Sequence, residues 1–164
     1  MSRSGRLLLV GGIALAAAGM LYGLHYALFI EHQTLEHMGE SLEGAFTQAA
    51  SENWANAETS LTAYADTKYK YVRQVDAHSH WIGLAMLMIV LGAVFDRVGF
   101  SERARYWLAV LLLVGSVLFP FAVLLQTASG GKVLASVLAV VGAACVTIAL
   151  AGAAVGFFRK ASAD

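Results

Sequence analysis

LLLVGGIALAAAGMLYGLHYALFI, from Leu7 to Ile30, runs for 24 residues without an aspartate, glutamate, lysine or arginine. About 20 apolar residues in a helix cross the hydrocarbon core of a bilayer, so this stretch is long enough to span one. Three more read the same way: about Ser79 to Phe95, Tyr106 to Gln126, and Val133 to Phe158. Of the 164 residues, 59% are hydrophobic and 13% charged, against roughly 25% charged in a soluble domain. The sequence predicts an all-α, integral membrane four-helix bundle forming a single membrane domain. Arg3 and Arg6 ahead of the first run give it the look of a secretory signal. Its apolar core exceeds the usual ~7–15 residues and no small-x-small cleavage site follows, so it reads as an uncleaved anchor.

Basic residues set the expected orientation. Arg3, Arg6, Arg97, Arg103, Arg105, Arg159 and Lys160 would share one side, with Lys68, Lys70, Arg73 and Lys132 on the other. The more basic side faces the cytoplasm. Both termini are therefore expected there, in a membrane of the bacterial inner type. Glu31, Glu36, Glu40, Glu43, Glu52, Glu58, Asp66 and Asp76 fall outside, with Trp81 at the outer interface and Tyr106-Trp107 at the inner one.

The segment 31–77 lacks proline and is rich in Ala, Glu, Gln and Leu, which favour helix. Leu35, Met38, Leu42, Ala45, Phe46 and Ala49 recur at intervals of three and four. A looser set follows: Trp54, Ala57, Leu61, Tyr64, Ala65 and Val72. With Ser51-Glu52-Asn53 as the break, this predicts an extracytoplasmic helical hairpin that extends the first span and returns into the second. A short inner turn, 96–105, and a tight outer one, 127–132, make the last three spans antiparallel neighbours. Gly19-x-x-x-Gly23 and Gly152-x-x-x-Gly156 permit close helix contact without naming a partner.

All five histidines (His25, His32, His37, His78 and His80) fall at or beside the outer edge of this bundle. An ionisable group within a span is costly to bury and is a functional candidate. His25 and His32 lie two turns apart on nearly one helical stripe, which Glu36 and Glu43 extend. Leu21, Ala18 and Ala14 continue it inward, where small side chains leave room for a flat cofactor or for tight packing. In Asp76-Ala77-His78-Ser79-His80-Trp81, two histidines one residue apart diverge by about 200° on a helix. One is expected to face the bundle and the other to face elsewhere. Asp76, one turn before His80, can orient it by accepting its second N–H.

Three uses compete. His25 with His80 or His78 can ligate haem across two spans, since haem iron takes imidazole donors and the macrocycle an apolar slot. His32, Glu36, His37 and the His78/His80 pair can instead hold Cu or Zn at the membrane surface. Or the histidines are interfacial residues satisfied by carboxylates and water.

His78-x-His80-x-x-x-Leu84, followed by Leu91-Gly92, resembles the histidine-bearing span of small membrane proteins related to haem–copper oxidase subunit I. The stretch Leu118-Phe119-Pro120-Phe121-Ala122-Val123-Leu124-Leu125-Gln126 is similar to a proline-containing span in them. The resemblance covers roughly 50 residues. It implies b-type haem, His80 or His78 as an axial ligand, and a role with electrons or a diatomic gas. This chain has four spans rather than twelve, and it lacks the copper-site histidines, so reduction of oxygen as in a full oxidase is not expected.

The lone cysteine, Cys145, excludes an intrachain disulfide. A formal net charge of zero argues against nucleic acid as a partner. No nucleophile–base pair, phosphate loop or dinucleotide fingerprint is present. The acidic face of Glu31, Glu36, Glu40 and Glu43 can attract a cationic redox partner. Membership of a larger respiratory complex, a homo-oligomer, or a non-catalytic accessory role all fit the same sequence.

Overall fold

The computed structural model describes residues 1–128 and 132–161 of the chain. It contains five α-helices and one short 3₁₀ turn, and no strand among the described residues. They are α1 (Arg3–Phe29), α2 (Glu31–Ala50), α3 (Trp54–Val94), the turn Phe95–Arg97, α4 (Glu102–Leu125) and α5 (Lys132–Ala161). Four of them, α1, α3, α4 and α5, are long and apolar enough to cross a membrane, the architecture of a multi-pass membrane protein. The tight turn expected over 127–132 falls partly outside the described residues.

Local chemistry fixes the helix boundaries. Ser2 caps α1, its hydroxyl accepting from the Gly5 N–H at 3.1 Å, and Ser101 caps α4 in the same way. Only Ile30 separates α1 from α2, and the backbone ladder passes through it: Ile30 N–H donates to Tyr26 O and Thr34 N–H to Ile30 O. The expected break at 51–53 is present, with Glu52 in the left-handed region at φ 60°. Asn53 N–H closes that turn on Gln48 O at 2.9 Å. Beyond it, α3 has 41 residues. At 1.5 Å each it is about 60 Å long, twice the ~30 Å hydrocarbon core. The helix therefore runs unbroken through Ser79, and α2 packs on its first half, with Ala45 and Ala57 buried.

The spans pack through small residues. Along the α1–α3 contact, a Cβ on Gly5 would lie 2.8 Å from the Gly92 carbonyl oxygen, and one on Gly92 2.8 Å from Leu9 N. The Gly19/Gly23 motif meets Ile82, Trp81 and His78 of α3. The Gly152/Gly156 motif meets Leu108, Val98 and Phe100 on and before α4. Such approach supplies the van der Waals contact that holds helices together where lipid is as apolar as the side chains. Leu8, Leu15, Ala85, Met88, Ala109 and Leu112 form the main buried cluster; Ala77, Ala122, Val123 and Ala139 form a smaller one towards the other end. Val10, Ile13, Met20, Val90, Val114, Val140 and Ile148 are exposed, as lipid-facing positions must be.

A polar clasp ties the start of α1 to the α3–α4 connection. Ser2 N–H donates to the Asp96 carboxylate at 3.0 Å and Ser4 N–H to Glu102 at 3.0 Å. Arg105 closes it, with one nitrogen 2.8 Å from Glu102 and another donating to Asp96 O at 3.0 Å. This pins α1 against the C-terminal end of α3, while the histidines lie further in along that helix.

The glycine contact yields a stability prediction. Gly92→Val places a branched side chain against backbone atoms that cannot yield, and should cost about 1–3 kcal/mol, as overpacking does. Gly39→Ala, on α2 with nothing within 4 Å of the added carbon, should be neutral or stabilise by up to about 1 kcal/mol. Thermal unfolding of both variants in detergent checks the contrast.

Candidate functional site

The side of α1 that faces α3 carries Gly19, Tyr22, Gly23 and Tyr26, positions at helical spacings of three and four. Because Gly19 and Gly23 have no side chains, α3 lies close there and the His78 ring rests on the Gly23 backbone, where any Cβ would collide with it. His78 Nδ1 is 3.1 Å from the Gly19 carbonyl oxygen. A carbonyl can only accept, so Nδ1 carries the proton, and in the neutral ring Nε2 carries the lone pair.

His80 reaches the same state by another route. Its Nδ1 lies 2.6 Å from the Asp76 carbonyl oxygen, one turn back on α3. The contact to Asp76 is made by its backbone carbonyl, while its carboxylate faces Arg73 at 3.6 Å and not the His80 ring. The two rings leave α3 in different directions, as their spacing requires. His78 is half-buried against α1, whereas His80 is exposed and stands edge-on to Phe119 of α4 at 4.8 Å. One turn on from His80, Gly83 has open space where a Cβ would sit.

The remaining candidates are not drawn to either ring. His25 is exposed on α1 and packs on Phe29 at 5.3 Å, on a different face from Gly19, Gly23 and Tyr26. His32 and Glu36 are exposed on α2. His37 pairs with Glu40 at 3.2 Å in a solvated contact. Among the described residues, no three or more His, Cys, Asp or Glu side chains converge as a metal site would require.

What sequence reasoning missed is aromatic. Between α1 and α3, beside His78, lies a cavity of about 460 Å³ lined by Met20, Gly23, Leu24, Tyr26, Ala27, Glu31, Tyr71, Gln74 and Val75. Small-molecule sites run from about 300 to 1,000 Å³. Tyr22 donates its hydroxyl proton to Gln74 Oε1, and Tyr71 donates to Glu31 at 3.3 Å. Tyr22 stacks on Tyr26, and Trp81 stands edge-on to Tyr22 at 5.2 Å. Tyr26 is 7% exposed and its hydroxyl makes no hydrogen bond. Thr34, its hydroxyl donating to the Ile30 carbonyl at 2.9 Å, lies beside Tyr26 but not in hydrogen-bonding geometry with it. The available signal was Tyr22 and Tyr26, one turn apart in an apolar span on the stripe of the two glycines.

No protein-family model, curated protein or solved structure matches this chain.

The histidine geometry is directly measurable. At a pH where both rings are neutral, ¹⁵N-histidine NMR should show His78 and His80 as the Nδ1–H tautomer. An Nε2–H signal at either position would break its assigned hydrogen bond.

Proposed function

We propose that this is a multi-pass protein of a bacterial-type inner membrane that binds b-type haem near its outer face through His80. Both termini lie in the cytoplasm, where the basic residues flanking the spans favour them, and α2 with the first half of α3 forms an extracytoplasmic hairpin. Its task is electron transfer or redox chemistry on a small ligand such as a diatomic gas.

The observation that carries this reading is the state of His80. Its Nδ1–H is committed to the Asp76 carbonyl, which fixes the ring and leaves Nε2 as the donor a haem iron needs. The site fits the group in two further respects. Nothing fills the space at Gly83, so a flat macrocycle can lie against the helix, and Phe119 supplies an aromatic edge beside the imidazole. When bound, haem supplies a one-electron iron couple whose axial ligand and surroundings set its potential.

The directions of the other two histidines support a site built on His80 alone. His25 packs on Phe29 away from the α3 contact and His78 faces α1, so His80 is the imidazole on this face that would hold the group, with the chemistry of a one-electron iron centre supplied when it is bound. The Cu or Zn alternative has a weaker footing, because no three His, Cys, Asp or Glu side chains come together among the described residues.

Purified protein, reconstituted with haem if necessary, should be red. Its Soret band should move on reduction and again on exposure to carbon monoxide. His80→Ala should abolish the spectrum and His25→Ala should preserve it. A colourless product after reconstitution would overturn the assignment; equal loss in both variants would restore a two-histidine site.

A further inference from the structure

We propose that the cavity between α1 and α3 binds a lipid-soluble quinone or its quinol, the head group held between the Tyr26 hydroxyl and His78 Nε2. This goes beyond the haem reading and stands without it, because it uses the opposite face of α3.

The walls select the ligand's character. Met20, Leu24 and Val75 line the cavity and are themselves exposed, Met20 by 62%. The opening is therefore apolar and turned to the side where a membrane protein meets lipid, so an occupant must be soluble in the bilayer. Its interior is not inert. Tyr71 has spent its hydroxyl proton on Glu31, but Tyr26 retains an uncommitted O–H that is nine-tenths buried. His78, with Nδ1–H bonded to Gly19, retains an uncommitted acceptor. A buried hydroxyl without a partner has lost its water without compensation, a penalty that a ligand oxygen removes.

One free donor and one free acceptor, facing an apolar opening, suit a molecule that offers both kinds of oxygen. A quinol hydroxyl does both, accepting from Tyr26 and donating to His78; the carbonyls of the quinone only accept, so that form satisfies Tyr26 alone. Gln74, whose carbonyl oxygen is held by Tyr22, keeps its amide N–H groups for a second ligand oxygen. A steroid or simple hydrocarbon leaves one or both unsatisfied. Phospholipid esters, like the quinone form, supply acceptors alone and meet the tyrosine but not the histidine, so the pair favours the reduced quinol.

The experiment is a titration of the full chain in nanodiscs, prepared free of haem, with a decyl-substituted benzoquinone followed by calorimetry. We expect saturable binding at one site, weakened about 3- to 10-fold by Tyr26→Phe, the loss of one hydrogen bond. His78→Ala should weaken the reduced quinol more than the quinone, and Glu58→Gln, remote on α3, should leave both unchanged. Absence of saturable binding overturns the proposal, and phospholipid retained on native mass spectrometry would then make the cavity a lipid site. Binding insensitive to both Tyr26→Phe and His78→Ala overturns it equally. The haem spectrum of His80→Ala is read separately, so the two assignments can fail independently.

Discussion

The close approach of α1 and α3 is the constraint on which the molecule depends. In water, helices associate because apolar surface leaves the solvent; within a bilayer that drive is absent, and contact must come from surfaces that fit. Here the fit is made by glycines. Gly5 and Gly92 bring the two backbones together at one end, Gly12 meets Ala85 and Ile89 further along, and Gly19 and Gly23 continue the seam to the histidine end. Any side chain along it would separate the helices, release the His78 ring from Gly23 and open the Nδ1 bond to Gly19.

That seam also explains why the polar groups sit where they do. Small residues hold the helices close as far as Gly23, and beyond it Tyr26 and Tyr71 take their place, with ring centres 6.4 Å apart. Larger residues push the walls apart and leave the cavity. At the far end, the Ser2–Asp96 and Ser4–Glu102 bonds fix α1 lengthwise, so the register that puts His78 on Gly23 is held from both ends.

A single short motif thereby serves two surfaces. His78 and His80 are separated by one residue, and the helix sends them to opposite sides with the same protonation pattern. The carbonyl that sets each pattern differs in origin. For His80 it comes from the preceding turn of its own helix, a local interaction; for His78 it comes from α1. His80 would keep its tautomer in an isolated helix, while His78 acquires it through the bundle.

Much of this was legible in the sequence. Apolar runs of sufficient length specified four spans because, without water, a helix is the way a lone segment satisfies its backbone. The three-and-four spacing of Leu35, Met38, Leu42 and Ala45 specified α2, the Ser51–Asn53 break specified its end, and helical geometry alone set His78 and His80 apart. Three things were left to the tertiary structure. Which spans the glycine motifs join depends on distant partners, since Gly19-x-x-x-Gly23 reads the same whatever lies against it. The direction of His25 depends on which face of α1 meets α3, and an alanine-rich span does not mark that face. The unpartnered hydroxyl of Tyr26 exists because the helices fold around it without placing an acceptor in hydrogen-bonding geometry. Periodicity within one helix is a local property of the chain; the pairing of helices, and the empty space between them, is not.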